Sequence, residues 1–142
     1  MAWFADLSSC TYFGEANASF LYSVGWLERG KSFSTGTVDS EVVTKLAEFI
    51  KNPVQPLIFA GCHHCDLCLP ICKITSHKNV FIPASGLLFV CPEAIVHYII
   101  AHSYKPPEEF CEAVLASPPI QSHRYLDALV ANGFGRWVYR SY

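Results

Sequence analysis

The stretch GCHHCDLCLPICK, residues 61–73, is the segment around which the fold of this chain is predicted, since it places cysteines and histidines close together. Cys65 and Cys68 form a C-x2-C knuckle, which commonly supplies two thiolates to one metal ion. A hairpin and then a helix carrying His97 and His102 follow the knuckle along the chain. This order and spacing are typical of a compact Cys2His2 zinc unit. The sequence therefore predicts that these four side chains bind one zinc ion.

The spacing of the two histidines requires a particular helix end. His97 and His102 are five positions apart, so on a regular helix their side chains point about 140° apart. Both reach one ion if the helix loosens at its end, and Tyr104 and Pro106 favour such an ending. His63 is the reserve ligand if His102 does not reach the ion.

The same stretch also fits the spacing of a ferredoxin. Cys62, Cys65, Cys68 and Cys72 match C-x2-C-x2-C-x3-C, by which bacterial ferredoxins bind iron–sulfur clusters. Against this interpretation, Lys73 replaces the usual proline and the chain has no second copy of the run. Zinc is therefore favoured, with an iron–sulfur cluster as the alternative. Whether Cys62 or Cys72 joins the metal site stays open.

Length and charge exclude several classes of protein. A chain of 142 residues suits one domain, residues 1–142, with a sizeable core. The net charge of −2 provides no general attraction to phosphate backbones, so we expect no nucleic-acid partner.

The apolar segments do not predict a membrane protein. The most apolar run, residues 86–101, is interrupted by Pro92, Glu93 and His97, and the start lacks the basic and apolar parts of a signal segment. We expect a cytoplasmic protein with no membrane partner and with reduced cysteines.

Hydrophobic periodicity predicts an α+β fold, with a short antiparallel sheet and about four helices, cross-linked by a structural zinc site. Pro92 and Glu93 are expected in the first turn of the helix that carries the histidines. In the next helix Phe110, Val114 and Leu115 are expected to face the core. The predicted segments are strands within 18–30 and 56–61, a hairpin over 79–91, helices over 39–52, from 92, over 106–117 and over 122–133, and a strand or packed aromatic strap over 134–142.

Three stretches of the chain resemble a family of small bacterial proteins of unknown function, whose members open with Trp-Phe-x-Asp-Leu-Ser-x-Cys and carry a His-x4-His helix before Pro-Pro. They are MAWFADLSSCTYF (1–13), VGWLERG (24–30) and PEAIVHYIIAHSYKPPEEFCEAVL (92–115). The family's G-x-H-x-C-x2-C phrase corresponds here to Gly61, His63, Cys65 and Cys68, whereas Cys62 and Cys72 depart from it. The resemblance implies a single domain and no particular activity.

Catalytic candidates are few. A catalytic zinc keeps one position open for water and has a carboxylate base nearby, for which Glu93 and Asp66 are the candidates. Neither stands in a signature such as H-E-x-x-H, and the chain contains no phosphate-binding loop. We assign no catalytic residue and predict a non-enzymatic protein. A zinc-dependent hydrolase and an iron–sulfur electron-transfer module are the alternatives.

The aromatic side chains near the two chain ends are candidate contacts for a protein partner. Trp3, Phe4, Trp137 and Tyr139 are predicted to anchor it if they form one exposed patch, because aromatic residues are enriched at interfaces. The other interpretation is that they seal the core. The predicted role is that of an adaptor or a toxin-neutralising immunity protein.

Overall fold

Two small sheets and four α-helices form the regular structure of residues 3–55, 63–68 and 75–138, the part of the chain that the computed structural model describes. The strands are β1 (Leu21–Ser23), β2 (His63–His64), β3 (Thr75–Ser76), β4 (Asn79–Pro83) and β5 (Leu88–Pro92). The helices are α1 (Ser40–Lys51), α2 (Ile95–His102), α3 (Glu108–Ala116) and α4 (His123–Asn132). The predicted α+β class with four helices is confirmed. The strand predicted over 56–61 lies outside the described residues.

The larger sheet has the strand order β1-β5-β4 and is mixed. β4 and β5 form the predicted antiparallel hairpin, in which Phe81 lies opposite Val90. β1 departs from the antiparallel arrangement expected of the sheet, because it pairs in parallel with β5, with Tyr22 opposite Phe89. The long connection between these two strands, which includes α1, makes parallel pairing possible. All residues of β4 and β5 are buried, so the hairpin lies at the centre of the core.

Helix α1 forms where the sequence predicts it. The Asp39 side chain caps its start by accepting a hydrogen bond of 2.8 Å from the N–H of Glu41. Val42, Leu46 and Phe49 are buried, at the spacing of one helix face. The helix therefore packs this face against the core.

Helix α2 begins later than predicted. Pro92 is the last residue of β5, and the helix starts at Ile95. The N–H of Glu93 donates to the carbonyl of Lys78 at 3.0 Å, which continues the pairing of the hairpin by one more hydrogen bond. The prediction that Pro92 and Glu93 form the first helical turn is therefore wrong, because strand pairing takes these residues.

Helices α3 and α4 match their predicted ranges closely. Phe110 and Val114 are buried as predicted, but Leu115 is 43% exposed. The prediction for Leu115 is wrong because the position after Val114 is rotated by about 100° away from the buried face. Helix α4 ends before Gly133, as predicted. None of the helices in the described ranges has the length and apolar character that crossing a membrane requires.

Candidate metal centre

The knuckle, residues 65–68, is a tight turn that follows β2. The antiparallel pair of β2 and β3 leads the chain into it. After Cys65 the chain turns back, and the N–H groups of Leu67 and Cys68 donate hydrogen bonds to the sulfur of Cys65. Donors aimed at a sulfur favour its thiolate form, which is the form that binds metal. The turn therefore orients the Cys65 sulfur as a ligand.

Arg29 ties the knuckle to the rest of the molecule. Its backbone N–H donates to Oδ1 of Asp66 at 3.1 Å, and its guanidinium donates to the carbonyl of Cys68 at 3.5 Å. The first of these hydrogen bonds fixes the Asp66 carboxylate next to the backbone of Arg29. Both hydrogen bonds connect the knuckle to the segment that follows β1.

The last turn of α2 supplies the two histidines. The helix ends at His102, and Ser103 takes the left-handed conformation with φ 55°. The N–H groups of Ser103 and Tyr104 both donate to the carbonyl of Tyr98, which closes the helix end. The helix therefore ends directly after His102, before the prolines at 106 and 107 near which the sequence predicts its end. The rings of His97 and His102 lie 5.2 Å apart between centroids.

The knuckle and the end of α2 bring four ligand atoms together. The sulfurs of Cys65 and Cys68 and one ring nitrogen each of His97 and His102 all lie within 4.8 Å of one another. The Sγ of Cys68 lies 3.2 Å from Nε2 of His97 and 3.4 Å from Nε2 of His102, and the Sγ of Cys65 lies 3.5 Å from Nε2 of His102. Sulfur and nitrogen ligands of one tetrahedral zinc ion lie about 3.5 Å apart, given bond lengths of about 2.3 Å and about 2.0 Å. We call these four residues the metal cluster.

The protonation of the ligand atoms also bears on metal binding. The Cys68 sulfur contacts both imidazoles, as a ligand of one shared ion would. Burial lowers the pKa of His97, and the nearby His102 lowers it further, which favours the neutral imidazole that ligates metal. Burial raises the pKa of Cys65 to about 11. A metal cation bound between the four ligand atoms would stabilise the thiolate of Cys65, which burial disfavours. Two sulfur and two nitrogen ligands suit zinc.

The carboxylates predicted as possible bases lie outside the metal cluster. Oε1 of Glu93 accepts a hydrogen bond of 2.8 Å from the N–H of His77, at the turn between β3 and β4. Asp66 is bound to Arg29, as described above. Within the described residues the group of potential ligands comprises the two cysteines and two histidines alone. Neither carboxylate is therefore placed among the ligands.

The other cysteines and the reserve histidine are not among the ligand atoms described above. Cys62 and Cys72 lie outside the described residues. Only the backbone of His63 is described, as part of β2. Cys10 and Cys91 are fully buried in the core.

The aromatic residues near the chain ends do not behave as one group. Trp137 is buried, and its ring contacts Phe13, Phe20, Phe81 and Phe134. Trp137 therefore fits the second interpretation given above, in which the aromatic residues seal the core. Phe4 is partly buried with its ring 5.3 Å from that of Trp26, whereas Trp3 is 37% exposed. Tyr139 lies outside the described residues.

Sequence reasoning missed a partly buried polar pair. The hydroxyl of Tyr104 donates to Oδ2 of Asp6 at 2.8 Å, and the N–H of Gly25 donates to Oδ1 at 3.0 Å. Asp6 interrupts an apolar opening, and a charged residue in such a position is the available signal for a buried partner. Its partners are 19 and 98 positions away, so spacing does not reveal them.

Comparisons with known proteins identify a family but no activity. Residues 2–115 match the model of a family described as "Domain of unknown function (DUF7919)". This range includes all four residues of the metal cluster. No curated protein and no solved structure matches the chain.

Proposed function

We propose that this chain, which belongs to the DUF7919 family, is a zinc-stabilised, non-enzymatic protein of the cytoplasm that acts by binding a protein partner. The observation that carries the proposal is the convergence of two sulfurs and two imidazole nitrogens within 4.8 Å. These atoms come from the knuckle and from α2, two segments separated by the whole β3–β5 region. A zinc ion bound there would cross-link them.

The ligand count supports a structural role for the metal. Four protein ligands fill a tetrahedral zinc ion, whereas catalytic sites usually use three and keep one position for water. Cys65 is almost fully buried, and the carboxylates of Asp66 and Glu93 accept hydrogen bonds from backbone N–H groups elsewhere. The zinc-dependent hydrolase is therefore the weaker candidate.

An iron–sulfur cluster remains the alternative cofactor. A four-iron cluster in a ferredoxin uses four cysteine thiolates, but Cys65 and Cys68 contact two imidazoles. This arrangement supports zinc. The visible absorption of the purified protein separates the two cofactors, because iron–sulfur clusters are coloured and zinc thiolates are not.

The zinc assignment is tested by metal analysis of purified variants. We expect about one equivalent of zinc in the wild type and loss of most of it in Cys68→Ser and His97→Ala, since each removes one of four ligands. Matched controls are Cys111→Ser and His123→Ala, which change a cysteine and a histidine outside the metal cluster. Retention of zinc in both ligand variants, or its loss in Cys62→Ser and Cys72→Ser alone, would overturn the assignment.

The partner-binding role is supported by the exposure of Trp3. This large aromatic side chain is 37% exposed, and truncating an aromatic anchor typically costs about 2 kcal/mol or more of binding. We expect the roles of adaptor or immunity protein to require such an anchor. Trp137 packs in the core and is therefore not proposed as a contact for the partner.

The binding role is tested by affinity capture from the host, followed by reconstitution with the purified partner. Trp3→Ala should weaken this complex without changing zinc content, while Ile100→Ala, at a position that is 70% exposed, should leave it intact. Metal-dependent hydrolysis of a substrate, abolished in Glu93→Gln and accompanied by no stable partner, would instead establish the hydrolase.

A further inference from the structure

A concave site lies away from the metal cluster. A cavity of about 440 Å³ is formed between the start of the chain and the segment that follows β1. Its wall includes Trp3, Phe4, Asp6 and Phe33, and none of the four metal-cluster residues lines it. Ligand pockets usually measure about 300–1,000 Å³, so this cavity is large enough for a small organic molecule. We call it the aromatic pocket.

Three aromatic rings line the aromatic pocket from two separate segments. Trp3 and Phe4 come from the start of the chain, where the N–H of Phe4 bonds the carbonyl of Trp26 at 3.4 Å. Phe33 comes from the segment that follows β1 and packs edge-on near Tyr104, with ring centroids 6.1 Å apart. The faces of aromatic rings carry negative charge density and attract cations.

Asp6 adds a carboxylate to the same wall. Each of its oxygens accepts one hydrogen bond, from Gly25 or from Tyr104, and retains capacity for a further one. Within residues 3–55, 63–68 and 75–138, no lysine, arginine or histidine forms an ion pair with it. Burial accordingly raises the pKa of Asp6. A cation entering the pocket would compensate this carboxylate.

The Trp3 ring already accepts a cation of the chain itself. The ammonium group of Lys31 lies 4.7 Å from the centroid of the ring. This contact is a cation–π geometry, so a positive group can reach the face of the ring. Lys31 would compete with a cationic ligand for Trp3 and repel it.

We propose that the aromatic pocket binds a methylated ammonium ion, either as a free small molecule or as the methylated side chain of a lysine in another protein. A primary ammonium has three N–H donors to satisfy, and beside its aromatic rings the wall of the pocket has one carboxylate and the side chains of Ser32 and Ser34 as acceptors. A methylated ammonium keeps its charge, needs few or no hydrogen bonds and packs its methyl groups against the rings. This proposal goes beyond the proposed function and does not depend on zinc.

The test compares a charged probe with its neutral isostere. Choline and 3,3-dimethylbutan-1-ol have nearly the same shape, but only choline is charged. We expect the zinc-loaded full-length protein to bind choline at least about tenfold more tightly in isothermal titration, because the cation–π and carboxylate contacts act on the charge. Equal affinities, or no choline binding at millimolar concentration, would overturn the proposal.

Variants of the pocket locate the binding. Trp3→Leu, which keeps apolar bulk but removes the ring, should weaken choline binding about tenfold, and Lys31→Met should strengthen it. Trp3→Phe retains a ring and should recover part of the affinity. Asp6→Asn should weaken binding, and Trp3→Leu and Lys31→Met decide the result if Asp6→Asn fails to fold. Unchanged affinity in both Trp3→Leu and Lys31→Met would place the binding elsewhere and refute the proposal.

Two further probes distinguish the source of the ligand. A peptide containing trimethyllysine is compared with its unmethylated form and with choline. If the trimethyllysine peptide binds more tightly than both the unmethylated peptide and choline, the ligand is a side chain of another protein. If the trimethyllysine peptide and choline bind with equal affinity, the ligand is a free small molecule. Preference for the unmethylated peptide contradicts the proposal. Zinc content is measured alongside, so that a failure here is distinguished from a failure of the metal assignment.

Discussion

At the scale of single residues, we expect protons to compete with zinc for the metal cluster. Burial raises the pKa of Cys65 to about 11, so this thiol is protonated at neutral pH before metal binds. We expect zinc binding to release protons and its apparent affinity to increase from about pH 6 to about pH 8. Calorimetry in two buffers of different ionisation enthalpy measures the release. The same heat in both buffers would show that the ligands are already deprotonated.

A second prediction at the residue scale concerns Asp6. Burial raises its pKa, against the effect of the hydrogen bonds from Gly25 and Tyr104. The folded chain therefore holds this proton to higher pH than the unfolded chain, whose value is about 4. The contribution of Asp6 to the free energy of unfolding is thus largest below about pH 4 and falls as the pH rises through the folded pKa.

Urea denaturation of wild type and Asp6→Asn across this range tests that sign. Asparagine does not titrate, so the stability of the variant relative to wild type should improve as the pH rises. Asp127→Asn, at an exposed position, controls for the general loss of charge. A relative stability of Asp6→Asn that worsens with rising pH would mean that the hydrogen bonds outweigh burial.

At the scale of elements, helix α2 is followed by a serine, Ser103, in a backbone conformation that glycine adopts more easily. Ser103 is exposed and left-handed, with φ 55°, where glycine has no steric penalty. We expect Ser103→Gly to increase the free energy of unfolding by up to about 1 kcal/mol. Ala101→Gly, at an exposed helical position two residues earlier, should decrease it by about 1 kcal/mol. Denaturant unfolding of zinc-loaded protein gives both values, and equal effects would contradict the left-handed ending.

At the scale of the whole molecule, Asn17 joins the beginning of the chain to its end. Its amide donates to the carbonyls of Phe13 and Val138 at 3.0 Å each, and its Oδ1 accepts from the N–H of Val138 at 2.8 Å. We expect Asn17→Ala to destabilise the fold by about 3 kcal/mol, because the buried carbonyl of Phe13 and the part-buried backbone groups of Val138 lose their hydrogen bonds to Asn17. The exposed Asn52→Ala is the control. Faster amide exchange at Val138 should accompany the loss, and a cost as small as that of the control would rule out this role.

The sequence by itself determined the local elements and the members of the metal cluster. The C-x2-C knuckle, the hairpin and the His-x4-His helix follow each other within about forty residues, and each is encoded by the spacing of nearby side chains. Cysteine and histidine are also the residue types that zinc prefers. For these reasons Cys65, Cys68, His97 and His102 were predictable as neighbours, and so were the helices α1, α3 and α4.

The tertiary structure alone decided the features that join distant parts of the chain. The parallel pairing of β1 with β5, the packing of Trp137 on Phe13 and the Asp6–Tyr104 hydrogen bond each unite residues more than sixty positions apart. The aromatic pocket likewise exists only because the start of the chain packs against the segment after β1. Such contacts depend on which surfaces meet when the core closes. The periodicity of hydrophobic residues does not predict which elements pack together, because it identifies only the apolar face of each separate element.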